Sequence, residues 1–559
     1  MAHWEYAILE SLVKDGQKAT MEMTDFDEFF NDFKLGNFLK CSGKWKNLFN
    51  PSDCDSHEAF IENVKSKYAK SSSVQQWELM AVSVSCLQVF AEINFLGRSE
   101  IIEEKAPAWL EKSLELDGES ICPVVKNLEL LYIAKSVLDL NIQNDPIIGS
   151  LAVQWWKFRC LWLHQEILDS RSETIFDSAK SLTKIVEESC LTSLNDKGKI
   201  SWHLEVSTFN LHYFDIQWIQ KEVSQASELG GISVQETGIL GKRTKFQQKE
   251  LAQLTLNIEN MQMKEDESQV TIVTLPTDLK LDDEVRLDKI AFSQPRNEAK
   301  LSLLQHAIVL AQFYLEKRCK PKDSLLKEEL MPYLDVLLSS PKNWSLKFIA
   351  LLERSKLERD DKRAIERTLM QVQTLVDHWP HFEEARSSLL FVAKPPAFWT
   401  LKHELVKILI SVGSTKTALD YALELQLWEE VINCYHMLDL RHKAEEIIRL
   451  QIEKDGETPK LLCMLGDATD DPKHYEQAIE ASNGKNARAF RSLGNYHFHR
   501  KSYDLAVDLL GKSLALNSFQ LQILLRHGYA AMQLKMWDVA AQSYRNYCNY
   551  ESDVSSIFF

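Results

Sequence analysis

Along "DKRAIERTLMQVQTLVDHWP" the apolar residues Ile365, Leu369, Val372, Val376 and Trp379 fall three or four positions apart, which places them in one stripe on a helix. Pro380 ends that helix. The same spacing predicts helices over 75–96, 124–140, 148–168, 173–190, 198–226, 243–262, 299–317, 323–339 and 343–357, with short breaks between them. Periodicity lapses from Met263 to Lys300, where charged and β-branched residues mix with two prolines. That stretch reads as a linker or as an extended strap along the helices. The expected organisation is an N-terminal helical region (1–262), the linker or strap (263–300), a central helical region (301–396) and a repeat region (397–559).

The repeat is visible by eye. Gly494 and Gly528, Tyr503 and Trp537, and Ala506 and Ala540 are each 34 positions apart. So are Trp428 and Leu462, and Ala444 and Ala478, in earlier copies, whereas Gly466 to Gly494 is 28, so the second helix of that copy must be short. A 34-residue period is the tetratricopeptide pattern of paired helices. Gly494 with Ala506, and Gly528 with Ala540, are expected where two backbones approach closely, with Tyr503 and Trp537 plugging the turns. Each pair leaves an apolar face for its neighbour, so stacking yields an all-α solenoid with a groove suited to peptides or helices.

Composition narrows the function. With 81 acidic against 65 basic residues, a net charge of −16 disfavours direct nucleic-acid binding. Ten cysteines contain no Cys-x-x-Cys pair and read as reduced thiols. The opening "MAHWEYAILESLVKDG" carries Glu5 and Glu10, and the longest apolar run, from Leu79, is broken by Gln88, Glu92 and Asn94. Neither a signal peptide nor a membrane span is indicated, which points to the cytoplasm or nucleus.

The segments "DGESI" at Asp117, "WWKFRCLWLHQ" at Trp155, "TGILGKRTKFQ" at Thr237, "SSPKNW" at Ser339, "LERSKLE" at Leu352, "LWEEVINCY" at Leu427, "KAEEIIR" at Lys443 and "GETPKLLCMLGD" at Gly456 occur in order. Together they resemble the tetratricopeptide repeat protein 27 family, over about residues 75–550. The resemblance implies an all-helical, non-enzymatic adaptor in chaperone-assisted assembly of large complexes, including spliceosomal particles. It also implies further repeats beyond the second copy, where "NYESDVSSIFF" stands here. A truncated form is therefore expected, whose last repeat frays and exposes apolar surface.

Several positions invite chemistry. "GGISVQETGILGKRT" ends like a phosphate loop at Gly241, Lys242 and Thr244, but Glu236 stands where glycine is required and Arg243 where Ser or Thr is. It is expected to be a structural loop capping a helix. His378 and His381 lie near Asp377, Glu383 and Glu384, but Pro380 removes their shared helical face. His497 and His499 alternate and face apart. Asp117 and Glu119 are expected to flank a turn. Arg491 and Asn495 stand four apart on a first repeat helix, where chaperone-binding members of the superfamily carry Lys and Asn that hold a terminal carboxylate, and the next copy has Arg526. These three form the candidate peptide groove. No cofactor, metal or small-molecule substrate is expected; the partners are proteins such as chaperones and splicing factors. The expected function is a protein-binding scaffold. A trafficking or coat-type scaffold is the alternative on the same fold, carried by the short helix pairs of "ALELQLWEEVINCYHMLDLRHKAEEI"; an enzyme of unknown type is the alternative of another class.

Overall fold

The computed structural model describes residues 51, 54–99, 106–140, 145, 147–189, 191, 194–213, 215–260, 274–293, 300–321, 325–339 and 343–550. Its N-terminal part runs through α1 (His57–Lys70), α2 (Ser73–Phe95), α3 (Ala108–Leu114), α4 (Leu128–Leu138), α5 (Leu151–Ile167), α6 (Glu173–Ser189), α7 (Asp196–Asn210) and α8 (Ile216–Leu229). Three strands follow: β1 (Ile232–Thr244), β2 (Leu251–Asn260) and β3 (Arg286–Phe292). Then come α9 (Leu303–Cys319), α10 (Leu326–Ser339), α11 (Trp344–Glu358), α12 (Ile365–His378) and the short α13 (Leu390–Ala393). The last part pairs α14 (Phe398–Val412) with α15 (Thr415–Glu424), α16 (Trp428–Met437) with α17 (Arg441–Asp455), and α18 (Pro459–Thr469) with α19 (Pro472–Ala481). It closes with α20 (Ala487–His499) and α21 (Tyr503–Leu516), then α22 (Leu521–Gln533) and α23 (Trp537–Tyr550).

From α14 onward each helix packs on the next, and the first helices α16, α18, α20 and α22 also touch in sequence. That is the stacking of an α-solenoid. One apolar cluster reaches from Phe60 to Phe519, with a satellite around Leu462, Tyr475 and Leu493. The Trp-rich α5 lies almost wholly within it. There Arg159 is almost fully buried, held by Glu205 of α7 at 2.6 and 3.0 Å, while Trp155 donates to the same carboxylate at 2.8 Å. A buried ion pair of this kind persists only with every oxygen satisfied.

Two helical expectations fail. Residues 243–262 hold strand β2, antiparallel to β1 from Ile232↔Asn260 to Gly241↔Leu251. Leu254, Leu256 and Ile258 alternate, a strand's period, and their side of the sheet joins the core through Ile232 and Ile258. Gly241, Lys242 and Thr244 therefore lie on β1, which pairs with β3 as well, and do not form a loop capping a helix. Residues 198–226 are two helices, because the Asp215 side chain accepts from Trp218 N and starts α8 anew.

Residues 274–285 run extended over α11 and α12. Gln371, fully buried, accepts from Leu279 N at 2.9 Å and donates to Thr277 O at 2.9 Å, while Arg354 binds Asp278 at 2.6 Å. Residues 263–273 and 294–299 of the expected linker, like 1–50 and the tail with Ile557, Phe558 and Phe559, lie outside the described residues.

The repeat register holds in detail, with one change of partner. A Cβ on Gly494 would sit 2.6 Å from Leu510 Cδ2, and one on Gly528 would sit 2.9 Å from the Tyr544 ring. The close contacts are thus Gly494 with Leu510 and Gly528 with Tyr544, although Ala506 and Ala540 are buried too. In the shortened copy a Cβ on Gly466 would sit 2.5 Å from the Tyr475 ring, and α19 has ten residues against fourteen in α21. Trp428, Ala444 and Ala478 are buried as the register requires. Tyr503 is covered by Phe498 and by Tyr529 of the next pair. Trp537 instead is 63% exposed, since no following helix among the described residues lies over its turn. In the same repeat Tyr529, Leu534 and Met536 are 43%, 38% and 41% exposed, so apolar side chains do reach solvent there, mixed on α23 with the polar Asp538, Gln542, Arg545 and Asn549.

Helix-interior glycines usually gain about 0.5–1 kcal/mol on replacement by alanine. Gly511→Ala, whose nearest neighbour would be His527 at 3.4 Å, is expected to show that gain. Gly494→Ala is expected to lose about 1–3 kcal/mol, since buried Leu510 has nowhere to move. Thermal melting of the two variants checks the opposite signs.

A candidate protein-binding face on the repeat array

The contiguous first helices α16, α18, α20 and α22 present a row of polar side chains. Arg488 pairs with Glu429 at 2.6 Å, joining α20 to α16. Asp467 of α18 accepts from the Tyr475 hydroxyl at 2.7 Å. Burial pushes the Asp467 carboxyl above its ordinary range, with the Tyr475 bond and Arg488 working against the rise. Arg491 donates to Gln520 Oε1 at 3.0 Å. Burial and the neighbouring Arg488 lower its pKa, while Glu119 acts to raise it.

The three groove candidates thus differ in state. Arg491 is engaged internally. Asn495, one turn further along α20, keeps a buried Oδ1 with no hydrogen-bond partner among the described residues. Arg526, on α22, is half-buried and makes no hydrogen bond or ion pair among the described residues. Arg488, Gln520 and Glu119 were not singled out for the groove. Arg488 sits three residues before Arg491 and shares its face, a signal available in sequence; the other two reach the site only through the fold.

Glu119 arrives from the N-terminal part. Asp117 and Gly118 take positive φ, 54° and 76°, and turn the chain sharply. Asp117 accepts from Ser172 Oγ, Thr174 N and Thr174 Oγ1 at 2.6, 3.1 and 2.7 Å, anchoring the turn at the start of α6. The other side of the turn meets the array. Asn486 donates to Gly118 O at 3.1 Å, and Asn517 donates to Arg171 O at 3.1 Å and to Glu119 Oε1 at 3.4 Å. Phe519 packs against Phe176 and Tyr213 at 5.3 and 5.1 Å, and Lys460 pairs with Asp169. The expected turn at Asp117 and Glu119 is present, and it lies against the repeats.

His378 lies beside Arg386 and stacks on Trp344, with the His381 ring 6.4 Å away. Among the described residues no group of three or more His, Cys, Asp or Glu is arranged to hold a metal, and no helix is long and apolar enough to cross a membrane.

The segments that carry the family resemblance are mostly core, as in α5, or contribute to the array, as in α16 and α18. Over 91% of this chain and 70% of its own length, a TPR repeat-containing protein of Schizosaccharomyces pombe is 27% identical. Relatives over most of the chain are named as tetratricopeptide repeat proteins. A tetratricopeptide repeat protein 27 homolog of Dictyostelium discoideum is 25% identical over 83% of this chain, and a tetratricopeptide repeat-containing protein of Caenorhabditis elegans 28% over 89%. The chain spans 59% and 65% of those two proteins. No family model matches. A solved Rap protein, complexed with competence and sporulation factor, aligns with 76% of this chain and 91% of its own at 11% identity and a TM-score of 0.30. Relatives of this name point to a protein-interaction scaffold.

Glu119 gives a pH test of the docked turn. Burial pushes its carboxyl above the ordinary range, Asp169 adds to the rise, and Arg491, Asn517 and Arg488 act against it. A raised folded value favours the docked turn at low pH and disfavours it as pH rises through that value. Glu119→Gln is therefore expected to melt above the parent chain at pH 7, with the difference closing below the ordinary glutamate value of about 4.3. A Glu119→Gln variant that melts lower at pH 7 would reverse the sign.

Proposed function

We propose that the chain is a non-enzymatic protein-binding scaffold that serves chaperone-assisted assembly of multiprotein complexes, in the cytoplasm or nucleus. The observation that carries the binding role is unused polar capacity on the first-helix face. Among the described residues Asn495 has an acceptor with no partner, and Arg526 a guanidinium with none, on successive helices of one row. A buried unsatisfied acceptor is costly, and a segment that donates to it while offering a carboxylate to Arg526 would satisfy both groups. Spliceosomal particles are the assembly class that the family resemblance favours.

Affinity capture with the full chain tests this. Arg526→Ala and Asn495→Ala are each expected to weaken capture of chaperones and splicing factors about tenfold, the loss of one charge-assisted bond, with helicity unchanged. Capture that neither variant alters would move the binding face elsewhere. Recovery of coat subunits in place of assembly factors would favour the trafficking scaffold.

A further inference from the structure

The arginine end of the same face is already occupied, by a segment of the chain itself. Asp117–Glu119 is a tight turn seated on the two loops that lead into α20 and α22. A Cβ at Gly118 would lie 2.5 Å from Lys485 O, so only glycine permits this approach, and Asn486 and Asn517 grip the turn from either side. The contacts span 368 and 398 residues of sequence, so they form only when the N-terminal part and the array are both folded.

The occupant fits its site imperfectly. Glu119, 7% exposed, has one side-chain hydrogen bond among the described residues, the long 3.4 Å contact with Asn517. Arg491, the cation with the largest influence on it, spends its one hydrogen bond on the neutral Gln520. A buried carboxylate and a half-buried guanidinium thus share this face with no hydrogen bond or ion pair between them among the described residues. A guanidinium presents five donors in a fork that suits a carboxylate, and a direct fork is far stronger than a charge felt across a gap.

We propose that the face around Arg488 and Arg491 is a binding surface for an acidic protein segment, and that the Asp117–Glu119 turn fills it as a replaceable internal ligand. An incoming segment whose carboxylate forks Arg491 makes the pair that Glu119 leaves unmade. The released turn remains anchored to α6 through Asp117, so displacement frees the array without unfolding the N-terminal part. This inference rests on the scaffold reading and adds regulation: the array's arginine end is closed until a partner competes for it.

The test uses the full chain and a labelled peptide of residues 112–123, KSLELDGESICP, followed by fluorescence anisotropy at pH 7. The wild-type chain, whose site is filled, is expected to bind it weakly. Gly118→Val cannot seat its own turn and is expected to bind at least about tenfold more tightly, a gain that Arg491→Ala in the same chain abolishes. If Gly118→Val does not fold, Asn486→Ala/Asn517→Ala replaces it, since it removes the grip without altering the turn. Hydrogen exchange at 117–121 should rise in the opened variant while α5 stays protected. Equal peptide binding by wild type and opened variant, or a gain that survives Arg491→Ala, overturns the proposal. If Arg526→Ala still weakens partner capture in that case, the scaffold reading stands and the internal ligand alone is lost.

Discussion

Every helix pair in the array leaves an apolar face that only the next pair can bury, and the last three pairs close where one residue has no side chain. Gly466, Gly494 and Gly528 are those points. Each faces a bulky residue of the paired second helix, Tyr475, Leu510 or Tyr544, at a distance no Cβ tolerates. The glycine weakens its own helix by about 1 kcal/mol, and the buried side chain opposite offsets that loss. The first helices then line up in a row, and any binding face on the array depends on that alignment.

The two edges of the array are built differently. At the turns inside the last four pairs, Asp439, Asp470, Lys501 and Lys535 take positive φ between 56° and 62°. These are tight reversals without glycine, open to solvent. The loops between pairs instead carry Asn486, Asn517 and Phe519, which dock on the N-terminal part. Amides suit that edge because they satisfy carbonyls such as Gly118 O and Arg171 O without burying another charge. The same N-terminal part is fixed to the centre elsewhere: Arg386 lies over the Trp344 ring and donates to Leu96 O and Trp379 O, and Gly97 approaches Trp379 O too closely for any side chain. The chain is thus joined to itself at points far apart in sequence, which a simple open solenoid is not.

Most helices were legible because their apolar spacing has only one reading. The exception shows why pattern alone fails. Leu251, Leu254 and Ile258 are three and four apart and suit a helix, while Leu254, Leu256 and Ile258 alternate and suit a strand; the choice fell to β1, the central strand against which β2 pairs as an edge. The repeat glycines could be placed from the 34-residue period, but their partners could not, since Leu510 and Tyr544 lie four residues beyond the small residues that the pattern highlights. Arg491 and Asn495 were found by offset. What holds Arg491 was not, because Gln520 belongs to the next pair's entry loop and Glu119 to another part of the chain.

That gap bears on how repeat faces are read. A motif offset says where a cation stands on a helix, and says nothing of whether the fold has already used it. Arg491 and Arg526 stand on the first helices of successive copies, though the 34-residue register sets Leu525 opposite Arg491; the first is half-buried and donates to Gln520, and the second has no partner among the described residues. The difference comes from the N-terminal part, which reaches the entry loops of α20 and α22 but leaves the Arg526 side chain untouched. The face thus has two unequal ends, one engaged internally and one left open among the described residues, and the binding proposed for the array turns on that inequality.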